Sequence, residues 1–358
     1  MDGNASSRVT ATNTDGRAAS FRGSPVHATI MLFVVTFLWG FSFPLVKNWL
    51  NAAKDTDCPG GEVNAILTLI AVRTTLALAV LAVFQPGLFL RPSWREHAIG
   101  ALIGFFNFVG FGLQVWGLNF TSPALSAFFT SLGSAWVPLL VFAMFGVSVS
   151  PLTLVGLGLA IGGAGVLAKI DTESGWALGW GEQLNLFASI IFAMLIVLLD
   201  RYGRAVRPGH LTVGFLTATG LPALALAGGW AAAGPGLRVS LDWTWSMLWT
   251  PWVFADIAVL TVACTVLAFH WFTVYQPRVS ASRAALIYLF EPVFASILSI
   301  VWRHDSVSMR LALGGGLILL GNLLVELPGW LKFRQAPEED TPAQMVAIAA
   351  GQSAATDP

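Results

Sequence analysis

ATIMLFVVTFLWGFSFPLVKNWL, residues 28–50, holds a single charged residue, Lys47, in 23 positions. A helix needs about 20 mainly apolar residues to cross the hydrocarbon core of a bilayer, so this stretch predicts a membrane span. Nine similar stretches follow, near 63–84, 97–119, 123–145, 152–170, 181–200, 209–232, 252–275, 280–302 and 310–327. The sequence therefore predicts an all-α integral membrane protein with ten transmembrane helices.

The composition supports this prediction and excludes other classes of protein. Of 358 residues, 56% are hydrophobic and 11% are charged, against about 25% charged in soluble domains. Lys and Arg number 19, as do Asp and Glu. A soluble enzyme, a nucleic-acid partner and a disordered scaffold are all disfavoured. Cys58 and Cys264 are too few for a disulfide framework, and we predict neither a metal site nor a cofactor.

The polar termini and the loop charges predict the orientation. Residues 1–27 and 331–358 are predicted to be disordered tails. With the N-terminus in the cytoplasm, eleven Lys and Arg fall in inner segments and five in outer loops. This bias satisfies the positive-inside rule and predicts a multi-pass protein of the cytoplasmic (inner) membrane with both termini inside.

An internal repeat divides the chain. An offset of 158 residues aligns 111–163 with 269–321 without a gap and gives 11 identities in 53 positions. The clearest agreement is Ser148-Val149-Ser150 on Ser306-Val307-Ser308. We therefore predict two five-helix repeats, 28–170 and 171–330. Five is odd, so the second repeat should lie inverted relative to the first, as in many secondary transporters.

Several motifs carry a family resemblance. Span one reads Phe37-Leu38-Trp39-Gly40-Phe41-Ser42-Phe43 with Lys47 after it, Arg73 lies in span two, and Glu291-Pro292 lies in span nine. The chain resembles the EamA type of the drug/metabolite transporter superfamily. The resemblance implies transport of small metabolites, often amino acids, through a central cavity lined by the first four helices of each half. In that family each half usually has a Glu nine residues before the Gly of its fifth helix. Here Val147 stands at that position in the first half and Asp305 in the second.

Two charged residues lie near the predicted bilayer midplane. Arg73 and Glu291 each fall about eleven residues into a span. A charge at this depth costs a few kcal/mol or more and must face the protein interior or a cavity. Arg73 is a candidate to hold an anionic group, and Glu291 a candidate to bind an amine or carry a coupling proton. The alternative is a structural role: an ion pair between them, or bonding of each side chain to backbone opened at a proline, such as Pro292, which should break span nine at that point.

Other polar and aromatic residues complete the predicted site. A metabolite cavity needs apolar walls and a few convergent polar groups. The predicted substrate-binding residues are Trp39, Arg73, Asn107, Thr130, Tyr288 and Glu291. Further candidates near mid-depth are Gln114, Ser134, Ser189 and Thr265. For each residue, hydrogen bonding between helices is the alternative. Glu291 and His270 are the candidate coupling residues, because His titrates near neutral pH.

Glycine ridges occur in spans five and ten. Small residues at helical spacing let backbones approach closely. The resemblance places these helices at the periphery of each half, so we expect tight packing there, with a homodimer as an alternative. The ridges are Gly156, Gly158, Gly162, Gly163 and Gly165, then Gly314, Gly315, Gly316 and Gly321.

Together these features predict a secondary transporter rather than an enzyme. The expected substrate is an amino acid or a related small metabolite, with export the favoured direction, and the lipid bilayer is the other partner. Proton coupling, exchange and facilitated diffusion stay open. A carrier of lipid- or sugar-linked metabolites is the alternative, followed by an intramembrane transferase, for which the acidic and His residues are too dispersed.

Overall fold

A computed structural model describes residues 25–90, 93–146, 148–167, 178–203, 206–279 and 281–335. Within these ranges the chain is helical almost throughout and contains no strand. The predicted tails lie mainly outside the described residues. Their inner boundaries differ slightly, because the first helix begins at Pro25 and the last continues to Gln335.

The described residues confirm an all-α membrane protein. Eight helices are long and apolar enough to cross a membrane, and shorter apolar helices lie where spans five and nine were predicted. We number the spans one to ten in chain order. Their bounds are Pro25–Asp55, Gly61–Phe84, Trp94–Phe120, Pro123–Phe145, Pro151–Leu167, Trp180–Tyr202, Pro208–Ala233, Pro251–Arg278, 281–301 and Met309–Gln335.

Three spans are interrupted at mid-depth. The sequence predicted the break in span nine at Pro292 and continuous helices for spans four and eight. Span four consists of Pro123–Ser131 and Gly133–Phe145, and span nine of Ala281–Tyr288 and Glu291–Val301. The break in span nine has a direct cause: Pro292 lacks the N–H that would bond the carbonyl of Tyr288. Span eight contains a π-helical turn, Val262–Leu267. Turns of this kind occur frequently at functional sites.

The two glycine ridges pack against each other. A Cβ at Gly156 would lie 2.5 Å from the carbonyl oxygen of Gly321, and one at Gly163 would lie 2.7 Å from that of Gly314. At the repeat offset of 158 residues, Gly156 corresponds to Gly314 and Gly163 corresponds to Gly321. Exchanging the two repeats therefore turns each contact into the other, so the contact between spans five and ten is reciprocal. Gly158, by contrast, has open space at its Cβ position.

Spans one to four and six to nine surround the centre of the bundle, and spans five and ten also reach it, through Thr153 and through Val325, Glu326 and Pro328. Span three packs on spans six and seven, span one packs on spans eight and nine, and span two packs on span seven. Because consecutive spans alternate in direction, the connections fall at two ends. The proximal end holds the start of span one, residues 148–150 and Gln276–Arg278; the distal end holds residues 56–60, Thr121 and residues 302–308.

A short amphipathic helix lies at the distal end, between spans seven and eight. Leu237–Leu248 buries Trp243 and Met247, and the Trp243 indole N–H donates to Thr56 Oγ1 at 3.1 Å. Its other face exposes Leu241 and Trp245. Exposed Trp beside span ends is typical of the membrane–water interface.

Candidate functional site

A cavity of about 370 Å³ lies at the centre of the bundle. This volume suits a small metabolite. The cavity wall continues to Ser148, Gln276 and Pro328 at the proximal end, whereas the described distal loops contribute nothing to it. The cavity therefore opens towards the proximal end and is closed at the distal end.

The structure brings the six predicted substrate-binding residues together around this cavity. The wall includes Trp39, Arg73, Asn107, Thr130, Tyr288 and Glu291. Gln114, Ser134 and Thr265 also line it, whereas His270 is half-buried on span eight and does not.

Arg73 is held from one side. Its Nε donates to Thr265 Oγ1, and its Nη2 donates to the carbonyl oxygen of Cys264 at 3.0 Å. The guanidinium also lies 4.9 Å from the centroid of the Phe111 ring, within range of a cation–π interaction. Both acceptors belong to the π-helical turn, in which Thr265 Oγ1 donates in turn to Leu260 O at 2.7 Å. The irregular turn thus supplies the oxygens that fix the side chain.

Arg73 keeps one donor without a protein partner. The residue is 4% exposed, and within the described part of the chain its Nη1 has no hydrogen-bond partner. The ion pairs found among the described residues are Lys54–Glu62, Glu96–Arg207 and Arg238–Asp242, so Arg73 and Glu291 are not paired. A buried cation with a free donor at a cavity wall is suited to bind an anionic group.

Glu291 begins the second half of span nine. It precedes Pro292 and follows the break at 289–290, where the Phe290 N–H bonds Ile287 O at 3.1 Å. Span one approaches closely here because Gly40 has no side chain: a Cβ at Gly40 would lie 2.9 Å from Glu291 O. The Trp39-Gly40 motif thus serves both the cavity wall and the contact with span nine.

The breaks in spans four and nine correspond in the repeat. Leu132, at the break in span four, is 158 residues from Phe290, and the same offset relates Thr130 to Tyr288. Gly133 and Glu291 each begin a half-helix and line the cavity. A helix N-terminus carries partial positive charge. The cavity wall thus combines the positive charge of Arg73 and two helix N-termini with the carboxylates of Glu291 and Glu326.

Aromatic rings form one wall. The ring centroid of Trp39 lies 4.9 Å from that of Phe272 and 5.8 Å from that of Tyr288. Within the described residues, the Trp39 indole N–H has no hydrogen-bond partner. Tyr288 donates to Gln276 Oε1 at 3.4 Å. This wall combines an apolar surface with one free donor.

The remaining predicted residues make bonds inside the protein. Asn107 Nδ2 donates to Thr219 Oγ1 at 3.2 Å, and the Thr130 hydroxyl donates to Ser126 O at 2.9 Å. Both residues therefore stabilise helix packing while their other atoms face the cavity.

Sequence reasoning missed several cavity residues. Phe269, Phe272 and Gln276 line the wall, and they follow Thr265 at intervals of four, seven and eleven residues on one face of span eight. This helical spacing was a usable signal. Lys47, noted for the motif, has a structural role: its Nζ donates to Leu118 O and Thr121 O at 2.8 Å and caps the end of span three.

Comparisons with known proteins agree with this architecture. The sequence profile of the EamA-like transporter family matches twice, at residues 27–168 and 179–327. An uncharacterized transporter from Archaeoglobus fulgidus is 26% identical over 186 residues, which cover 52% of this chain and 53% of that protein. The chain thus matches about half the length of this relative. A solved crystal structure aligns with a TM-score of 0.54 at 19% identity, covering 87% of this chain and all of that one, which supports the fold alone.

Proposed function

Because the chain belongs to the EamA-like transporter family, we propose that it is a secondary transporter of a small metabolite that carries a carboxylate and an amine, such as an amino acid. Arg73 carries the proposal. Its cation is buried at the cavity wall without an acidic partner among the described residues, and its Nη1 is free to bind a carboxylate. A substrate without an anionic group would leave that charge uncompensated.

Glu291 supplies the opposite pole. Its carboxylate lines the same cavity beside Tyr288, and it is not paired with Arg73. It binds the amine of the substrate or carries a coupling proton. His270 stands outside the cavity wall, so coupling falls to Glu291 in this proposal.

The proposed transport cycle uses two inverted repeats. The two profile matches, the reciprocal glycine contact and the corresponding helix breaks support a pseudo-twofold relation between the halves. Rocking of the halves would expose the cavity at each end in turn. The excess of Lys and Arg supports a cytoplasmic proximal end in the inner membrane. Substrate would then enter the proximal cavity from the cytoplasm, which favours export.

Uptake into proteoliposomes tests this function. A radiolabelled amino-acid mixture is offered with and without an inward-acidic pH gradient to the wild type, Glu291→Gln and the matched control Glu62→Gln, whose site is exposed at the distal end. We expect gradient-dependent uptake by the wild type and the control and its loss in Glu291→Gln.

Other outcomes redirect the proposal. Unchanged uptake and pH dependence in Glu291→Gln would remove its coupling role. Absence of uptake of every label by the wild type would remove amino acids as substrates, and lipid- or sugar-linked metabolites would be tried next. Chemical conversion of a label would indicate an enzyme.

A further inference from the structure

A polar cluster closes the distal end of the bundle. Asn48 Nδ2 donates to Asp256 Oδ2 at 2.8 Å, and Asn48 Oδ1 lies 2.8 Å from His304 Nε2. Asp305 Oδ2 accepts from the backbone N–H of Ala124 at 3.0 Å and from the hydroxyl of Ser299. We call Asn48, Asp256, Ser299, His304 and Asp305 the distal clamp.

The distal clamp joins the two halves of the molecule. Asn48 and Ala124 belong to the first match to the family profile, whereas Asp256, His304 and Asp305 belong to the second. Asn48 thus bridges span one to spans eight and nine. Asp305 binds the first turn of span four, where a carboxylate is stabilised by the helix N-terminus. Separation of the halves at this end must break the bonds of Asn48 to Asp256 and His304 and the bond of Ala124 to Asp305.

A tight turn places His304 and Asp305 for these contacts. The N–H groups of both residues bond Ser299 O, at 2.9 and 3.3 Å. Arg303 adopts a φ of 61°, in the left-handed region that non-glycine residues seldom occupy. The turn therefore directs both side chains back over the end of span nine.

The first half has no equivalent of Ser299, His304 and Asp305. Within the gapless alignment at offset 158, Ser299, His304 and Asp305 correspond to Val141, Gly146 and Val147. None of these three residues carries a polar side chain, so the end of span four cannot form the matching bonds. At the proximal end the halves are joined instead by the ion pair of Glu96 with the largely exposed Arg207, at 3.0 Å. The cavity is also open at that end.

We propose that the distal clamp is the latch that keeps the cavity closed on its distal side. Its part-buried bonds outweigh the exposed Glu96–Arg207 pair at the other end, which makes the proximally open state the resting state. The inference rests on the proposed transport function, because a carrier must open both ends in turn. Release on the distal side then requires the clamp to break.

Thiol labelling tests the latch without a substrate. In a background with Cys58→Ser and Cys264→Ser, Gln114→Cys places one thiol in the cavity wall, near the distal end of span three. A charged, membrane-impermeant methanethiosulfonate reagent is added to intact cells. Val307→Cys, at a site 79% exposed at the distal end, reports whether the reagent reaches that face.

The variants are Asn48→Ala, Asp256→Ala and Asp305→Ala, with Ser308→Ala as the matched control. Ser308 lies at the same end but bonds the N–H of Leu311 in its own helix. Hydrogen bonds to charged groups are among the stronger ones, so we expect each clamp variant to label Gln114→Cys about tenfold faster than the parent or the control.

The results separate this proposal from the transport function. Unchanged labelling in clamp variants that elute and melt as folded protein would overturn the latch, whatever the transport assay shows. Faster labelling together with no amino-acid uptake would support the latch and reject the substrate class. Equal acceleration by Ser308→Ala would indicate general loosening and contradict a specific latch.

Discussion

The orientation of the Arg73 side chain depends on Thr265, a residue that does not contact the substrate in our proposal. Thr265 Oγ1 accepts a hydrogen bond from Arg73 Nε, and Cys264 O accepts one from Nη2. These two bonds fix the orientation of the guanidinium and so the direction in which the free Nη1 points. Thr265 is thus a positioning residue for the anion site. Its place in the π-helical turn links the irregular backbone to the recognition of charge.

Replacement of Thr265 should therefore weaken binding of carboxylates. We expect Thr265→Val to raise KM for a transported carboxylate about tenfold, the effect of losing one hydrogen bond to a charged group. Maximal flux should change little. Thr265→Ser keeps the hydroxyl and should restore KM. Uptake kinetics with the acid and with its neutral amide provide the measurement, and an equal loss for both compounds would point to general damage instead.

At the scale of elements, the two glycine ridges offer a paired comparison. Gly156 faces the backbone of span ten, whereas Gly158 has open space at its Cβ position. We expect Gly156→Val to force spans five and ten apart and to destabilise the protein by about 1–3 kcal/mol, as overpacking does. Gly158→Val should leave the melting temperature unchanged.

Thermal unfolding in detergent measures both variants. A Gly156→Val protein as stable as the wild type would contradict the packing that we describe. Gly158 also bears on the homodimer proposed from the sequence, because no atom of the described residues lies within 4 Å of its Cβ position. If Gly158→Val shifts the protein from dimer to monomer on size exclusion, the ridge serves two contacts.

The sequence predicts elements better than their interruptions. The ten spans follow from apolar runs whose length the bilayer itself sets. The break at Glu291-Pro292 had a visible cause, yet the break at Leu132 is recognised mainly through its repeat partner, Phe290. The π-helical turn at Val262–Leu267 contains no Pro or Gly that would mark an irregular helix. Its contacts with Arg73 of span two are tertiary, and a local sequence does not contain them.

For the candidate site, the sequence likewise predicts which residues take part better than it predicts their contacts. The six predicted substrate-binding residues line one cavity because a polar group at mid-depth must avoid lipid. What the sequence could not supply was their partners. Arg73 and Glu291 are 218 residues apart in the chain. Whether they form an ion pair or bind opposite ends of a substrate depends on the distance between their spans, which the sequence does not give.

At the scale of the whole molecule, the distal clamp makes the conformational equilibrium sensitive to pH. His304 lies beyond the end of span nine, facing Asn48, Lys47, Asp256 and Asp305. Burial, and then the charge of Lys47, lower the pKa of His304 from its ordinary value of 6.5, against the opposing effect of Asp305 and Asp256. The clamped state therefore favours neutral His304.

The direction of the pH effect follows from this shift. When the clamp opens, His304 meets water and its pKa returns towards 6.5. The open state then binds protons more readily, so acidification through that pKa favours opening, whereas the clamp is fully stable above it. We expect distal labelling of Gln114→Cys, normalised to Val307→Cys, to rise between about pH 7.5 and about pH 5.5.

His304→Gln should abolish that rise, since its amide can still donate to Asn48 but does not titrate. A rise of equal size in His304→Gln would assign the pH response to another group. Normalisation to Val307→Cys is needed because thiol reactivity itself changes with pH.

The reciprocal crossing of spans five and ten has a mechanical consequence. Helices packed through interlocking side chains resist relative rotation, because ridges on one surface must climb out of grooves on the other. At Gly156–Gly321 and Gly163–Gly314 the backbones of the two helices meet directly, with the Cβ atoms of Ala160, Leu317 and Leu324 beside them, and the contact is the same from either half. Few side chains interlock at such a crossing. We therefore expect the two halves to rotate about this contact when the distal clamp opens.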